Sequence, residues 1–292
     1  VVQEFDTPVA KYVFNDLLVS PILQSLVACV VVFLTANFIN RHIIQNRLSK
    51  HLTLLPGLFF ILITAGMPGG IICSPAMLSA CFLMLGMFNI SRIYKTSEAP
   101  VRIFNTGIYF AIATILYPAN VFFWVFGVIA LLILRSFKIS ELMILTSGMF
   151  VPLFLLGTYY YWNGNLLLMW EYFQFDSGIL GLFLNLDLNT IMYLSAIGIT
   201  AIYSIVRYNT YTMKSSIQVQ KKIDIIYWFM LFCLLIMFFI NGVSFTHLVI
   251  LAIPYAMFIG LSYEKMKSSF IAEMIHIGLI VIILFAQFQG LL

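Results

Sequence analysis

The chain breaks into apolar blocks of about 15 to 22 residues separated by short polar joints, and this alternation leaves few folds open. A water-soluble domain must cover its outside with polar residues, and joints this short cannot supply them. Of 292 residues, 62% are hydrophobic and only 9% charged, where an ordinary soluble domain carries about 25% charged residues. The expectation is therefore an all-α chain, with residues 1–292 forming one membrane domain. Its architecture is a polytopic transmembrane bundle of about ten helices.

The blocks fall at residues 17–40, 52–73, 75–90, 103–117, 118–134, 141–162, 189–206, 225–240, 243–262 and 270–288. The third and fourth, about 15 to 16 residues long, are short for crossing a bilayer unaided and belong inside the bundle or nearly upright. Lys and Arg occupy every second joint. Arg41, His42, Arg47, Lys50 and His51 follow the first block, Arg92, Lys95 and Arg102 the third, and Arg135 and Lys138 the fifth. Residues 207–222 are again basic, as are Lys265 and Lys267, while the joints between are neutral or acidic. The positive-inside rule makes the basic joints cytoplasmic. Residues 1–16, with Glu4, Asp6 and Asp16, are then an outer N-terminal segment, and a helix upstream of Val1 would return the N-terminus to the cytoplasm. No removable signal peptide is read ahead of the first block.

Two joints carry specific expectations. Residues 163–188 hold Trp170, Glu171, Tyr172, Phe173, Phe175, Phe183 and Leu184, a composition suited to one or two helices lying in the outer interface. That segment is either an apolar connector or a lid or lipid-binding platform. At Tyr117-Pro118 two apolar blocks meet with no charge between them. Proline cannot donate a backbone hydrogen bond and biases its predecessor away from helix. One helix of about 32 residues there would measure roughly 48 Å, too long for a hydrocarbon core of about 30 Å. The chain is expected to reverse at residues 117–120 and pack residues 103–117 against 118–134 as an antiparallel pair.

Several function classes are disfavoured. The formal charge of +4 is small and the basic residues sit in short turns, so the footprint of a nucleic-acid binder is missing. Cys29, Cys73, Cys81 and Cys233 lie in apolar blocks with no CxxC spacing. Glu273 and His276 share the three-residue spacing of a di-iron motif, but the chain has four histidines, His42, His51, His247 and His276, too few for a histidine-rich centre. No metal site is expected from them. Ionisable residues are almost absent from the block centres, so no proton relay is visible. Glu141 is read as opening its helix behind Ser140 in a capping position, and His247 as lying near the outer end of its span. No internal repeat or duplicated half is found.

The outer face holds Glu4, Asp6, Asp16, Glu171, Asp176 and Asp187. Carboxylates at a membrane face can act as general bases toward an acceptor hydroxyl or bind a divalent cation. The plain alternative is solvated surface.

The run from Gly107 through Tyr117-Pro118, the basic turn Leu134-Arg135-Ser136-Phe137-Lys138 and then Phe150-Val151-Pro152-Leu153 resemble the multi-span glycosyltransferases of the C superfamily. Those enzymes take sugars from polyprenyl-phosphate donors and place a catalytic acid in the first outer loop. The resemblance implies that role for Glu4 and Asp6, provided a first helix precedes Val1. Over residues 37–165 the chain also resembles an uncharacterised family of bacterial inner-membrane proteins. That likeness rests on Ser74-Pro75, Ser91-Arg92-Ile93-Tyr94, Phe104-Asn105-Thr106-Gly107 and Leu134-Arg135. One departure matters physically: a phosphate-linked donor needs cations, and Lys11 is the only basic residue assigned to the outside.

The resulting expectation is a multi-pass bacterial inner-membrane protein, glycosyltransferase-like, engaging a polyprenyl-linked glycan or related lipid at its outer face. Glu4 and Asp6 are the candidate catalytic acids, and Lys11, Trp170, Glu171 and Tyr172 the candidate substrate contacts. No cofactor is expected beyond a divalent cation at Glu4 and Asp6. The competing expectation is a non-catalytic subunit held among other membrane chains of an envelope or secretion assembly.

Overall fold

The computed structural model describes residues 9, 12–17, 20–49, 51–67, 73–96, 98–167, 173, 195, 198, 202, 206, 215–236, 247–264, 270, 274, 277, 278, 280 and 281. Among these residues the regular structure is helical, with no strand. Eight α-helices follow in order: α1 (Pro21–Gln45), α2 (Leu55–Gly66), α3 (Pro75–Ile90), α4 (Ala99–Leu116), α5 (Phe123–Leu134), α6 (Ile139–Trp162), α7 (Ile217–Ile236) and α8 (Leu248–Glu264). A π-helical turn, Tyr12–Leu17, precedes α1, and a 3-10 turn, Pro118–Phe122, joins α4 to α5. Three helices, α1, α4 and α6, are long and apolar enough to cross a membrane.

Local chemistry sets the starts. Ser20 and Ser74 stand before α1 and α3, and each hydroxyl accepts a hydrogen bond from the amide three residues on, Leu23 or Met77, at 3.2 Å. Pro21 and Pro75 follow at the first helical position, where a missing N–H costs nothing. At α2 the cap is tertiary: the Gly57 amide donates to Asn40 Oδ1 of α1 at 2.8 Å.

Of the two blocks read as short, the third, α3, lies inside the bundle, while the fourth is longer than expected and forms the 18-residue α4. Nine of the 16 residues of α3 are buried. It touches α1, α4 and α8, while α8 also packs on α2 and α7. Half of the most apolar window of α4 is buried, against 22% for α6, which shows most of its surface outward.

The helix ending at Leu116 breaks at Tyr117, whose backbone is extended (φ −147°, ψ 98°), and the chain reverses through the 3-10 turn. The reversal is demonstrated at the far end, where Arg135, just after α5, donates to the carbonyls of Ile93 and Thr96, just before α4. The expected pairing is corrected in one respect. The main neighbours of α4 are α3 and α6, not α5, which turns toward α7. Glycine explains the choice. A Cβ on Gly107 would strike the carbonyl of Leu145 and stand 2.7 Å from the Met149 amide, and one on Gly148 would strike the carbonyl of Phe104. Only this pair lets the two backbones approach so closely, the usual way helices associate without a water-driven hydrophobic effect. α5 instead contributes Phe123 and Phe126 to a ring cluster with Phe110 of α4 and Phe229 and Phe232 of α7, all five buried.

Several boundaries differ from the sequence expectation: α4 begins at Ala99 and α7 at Ile217, so Arg102 and Lys222 lie in the first turns of helices and not in joints. α1 continues past Asn40 to Gln45, so Arg41 and His42 belong to its last turns. α6 begins at Ile139, which places Ser140 inside the helix. Glu141 is not held behind a serine cap; it pairs with Arg135 at 3.2 Å.

Candidate functional site

Every Arg and Lys among the described residues lies at one end of the bundle, where α1, α3, α5 and α8 finish and α2, α4, α6 and α7 begin. Two acid–base pairs hold part of this charge, Arg102–Glu98 at 2.6 Å and Arg135–Glu141 at 3.2 Å. Lys95 and Lys221 converge on the ring of Tyr94 from 5.7 and 5.6 Å.

Beside these pairs is a niche with a different character. α1 ends in a Schellman motif: the Leu48 amide bonds to the Ile43 carbonyl and the Arg47 amide to the Ile44 carbonyl, both at 3.1 Å. The motif demands a left-handed residue, and Arg47 supplies it at φ 53° where glycine is usual. Just before it stands Asn46, and one turn before that His42, 2% and 0% exposed. Both ring nitrogens of His42 and both side-chain polar atoms of Asn46 lack a hydrogen-bond partner in the folded chain. The ring of Phe88 on α3 sits 6.4 Å from the His42 ring, and the Arg92 guanidinium lies over the same phenyl at 5.1 Å. From α7 comes Lys222, only 4% exposed, its ammonium in the field of Arg92 and Arg47 and its own charge acting on His42.

The electrostatics are those of a site short of negative charge. Burial first, and then the charges of Arg102 and Arg41, hold the Arg92 guanidinium below its ordinary value, Glu98 acting in the opposite sense. A buried donor or acceptor left unpaired costs about 1–3 kcal/mol, and a buried ammonium more. The groups gathered here are cations, an amide and an imidazole, with the Glu98 carboxylate acting on Arg92.

At the opposite end, the His247 ring meets the Tyr117 ring edge-on at 5.4 Å. Asn120 of the 3-10 turn, fully buried, donates through Nδ2 to the Ala113 carbonyl at 3.1 Å and so ties the turn to the last coil of α4. His247 does lie at the end away from the basic turns, as its position in the sequence suggested.

The residues singled out from the sequence, Glu4, Asp6, Lys11, Trp170, Glu171 and Tyr172, lie outside the described residues, as do Glu273 and His276. Among the described residues no group of three or more His, Cys, Asp or Glu is placed to hold a metal ion. The niche was not singled out. Its signal was present: His42 and Asn46 are four apart, the spacing of one helical face, and they continue the pattern of α1 beyond the apolar block.

No curated protein and no solved structure matches the chain. A family model does, over residues 10–291, nearly the whole length. The chain belongs to DUF6427, a family of unknown function.

Proposed function

We propose that the chain is a multi-pass protein of the bacterial inner membrane with its basic end in the cytoplasm. From that membrane it engages a lipid-linked glycan or related lipid at the opposite, outer end, in the manner of a glycosyltransferase. The observation that carries the orientation is the gathering of every described Arg and Lys at one end of the bundle. The glycan half draws support from the helix, Tyr-Pro corner and helix at residues 99–134, whose corner lies at the end away from the basic turns. In this reading Glu4 and Asp6 act as general base toward the acceptor or hold a divalent cation, and Lys11, Trp170, Glu171 and Tyr172 contact the lipid-linked substrate.

Single-cysteine labelling in a background without the four native cysteines tests the orientation. Asn46 is buried, so Ser136, exposed in the turn after α5, reports on the basic end, and Asn163, after α6, on the other. An impermeant reagent applied from outside should reach Asn163 alone. Labelling of Ser136 from that side would overturn the orientation. For the chemistry, native co-purification with mass spectrometry should recover a polyprenyl-linked glycan, and replacing Glu4 and Asp6 by alanine should abolish transfer without lowering abundance. Unchanged transfer in that double variant would remove them as catalytic acids.

A second reading, a non-catalytic subunit of an envelope assembly, draws support from α6. Its outward side carries Phe150, Phe154, Leu155 and Tyr161, all more than half exposed, and Phe150 and Phe154 stack at 5.5 Å. Cross-linking from Phe154 to another membrane protein, with no glycan recovered, would favour this reading.

A further inference from the structure

We propose that His42, Asn46, Arg47, Arg92 and Lys222 form a binding site for a phosphate group at the basic end of the bundle. The site lies at the end of the bundle that gathers the described Arg and Lys, and it does not depend on glycan transfer.

Four elements meet there. α1 delivers His42 and Asn46, its Schellman turn delivers Arg47, the turn after α3 delivers Arg92, and the start of α7 delivers Lys222. Unpaired polar groups are normally exceptional in an interior. Here two complete side chains, His42 and Asn46, are buried with none of their side-chain polar atoms partnered. They stand beside a nearly buried ammonium, Lys222, in the field of the Arg92 and Arg47 guanidinium groups. A bound anion explains these features together. It accepts from Asn46 Nδ2, from a protonated His42 nitrogen, from Lys222 and from the guanidinium groups, and it relieves the repulsion among them.

The cation count selects the ligand class. Arg47, Arg92 and Lys222 carry three positive charges, more than one carboxylate would call for. A phosphate monoester carries close to two negative charges and has oxygens pointing in several directions, which suits donors arriving from separate helices. Arginine and lysine are the side chains that recognise phosphate, as a planar fork and as a point charge. The phenyl of Phe88 forms an apolar shelf under Arg92 and beside His42. A niche at the membrane end of a bundle can meet phosphate as a phospholipid headgroup or as a soluble ion or ester.

The full chain, reconstituted in phosphatidylcholine nanodiscs, should be tested with radiolabelled inorganic phosphate at constant ionic strength. Parallel nanodiscs containing phosphatidic acid should be examined by native mass spectrometry for retained lipid. At least one probe should bind saturably, and Arg92→Gln and Lys222→Gln should each weaken it about tenfold or more. Lys138→Gln, an exposed lysine at the same end, should leave binding unchanged. Melting of each variant in chloride verifies that it folds; because Arg92 is only partly buried, Arg92→Gln keeps the test decisive if Lys222→Gln misfolds. Binding of inorganic phosphate alone identifies a soluble ligand, and retention of phosphatidic acid alone a headgroup. Binding of neither probe, or equal binding by Arg92→Gln and Lys138→Gln, would overturn the proposal.

Discussion

The thiol of Cys233 on α7 donates to the carbonyl of Ile250 on α8 across 3.7 Å. That carbonyl would ordinarily receive the amide of residue 254, but residue 254 is proline and has no N–H to give. Both partners are buried, Cys233 at 2% and Ile250 at 3% exposure, so no water is at hand to substitute. The neighbouring helix thus supplies the donor that the proline removes, a requirement for any interrupted helix in an apolar surround. Cys233→Ala should therefore lower the stability of the purified protein by about 1 kcal/mol, read as a shift in its unfolding midpoint. Cys233→Ser, which retains a donor, should recover most of the loss. If alanine and serine variants unfold alike, the contact contributes only packing.

The α4–α6 crossing makes a graded prediction. Alanine at Gly107 already brings a Cβ against backbone atoms of α6, which cannot swing aside as a side chain could. Gly107→Ala should cost about 1–3 kcal/mol, and Gly107→Leu should cost more or abolish the folded state. The measurement is the unfolding midpoint in matched detergent. Wild-type stability for Gly107→Leu would show that the helices do not cross there.

Arg47 is placed where glycine would be less strained. A non-glycine residue in the left-handed region costs about 1–2 kcal/mol, partly offset by the greater unfolded-state freedom of glycine. Arg47→Gly should thus raise stability by up to about 1 kcal/mol while weakening phosphate binding. The opposing signs separate backbone relief from loss of charge, and a variant that is both less stable and unaltered in binding would contradict the assignment.

In the ring cluster, Phe123 lies within 5.1 to 6.4 Å of Phe110, Phe126, Phe229 and Phe232. Phe123→Ala should cost about 3–5 kcal/mol, the usual loss for emptying an aromatic site in a packed core. Phe154, exposed on α6, should tolerate alanine within about 0.5 kcal/mol. Comparable losses at the two sites would mean that Phe154 is covered in the working protein.

The order of residues along the chain determined the helical class, the start of α3 at Ser74-Pro75 and the break at Tyr117-Pro118. Each follows from local physics: apolar blocks long enough to satisfy their own backbones, a hydroxyl cap ahead of a proline, and an amide nitrogen that cannot donate. It also determined that the basic turns share one end, because an odd number of crossings separates basic from non-basic joints. Tertiary structure alone decided which helices pack. Gly107 and Gly148 read as ordinary small residues until their backbones meet, and α5 reads as the natural partner of α4 until α6 displaces it. It also decided that the His42–Asn46 pair, four apart on one helical face, comes together with Arg92 and Lys222, since positions so far apart in sequence share no period. Burial gives these ordinary polar residues their chemistry: the same histidine and asparagine exposed to water would pair with it, and only inside the fold do they go without partners.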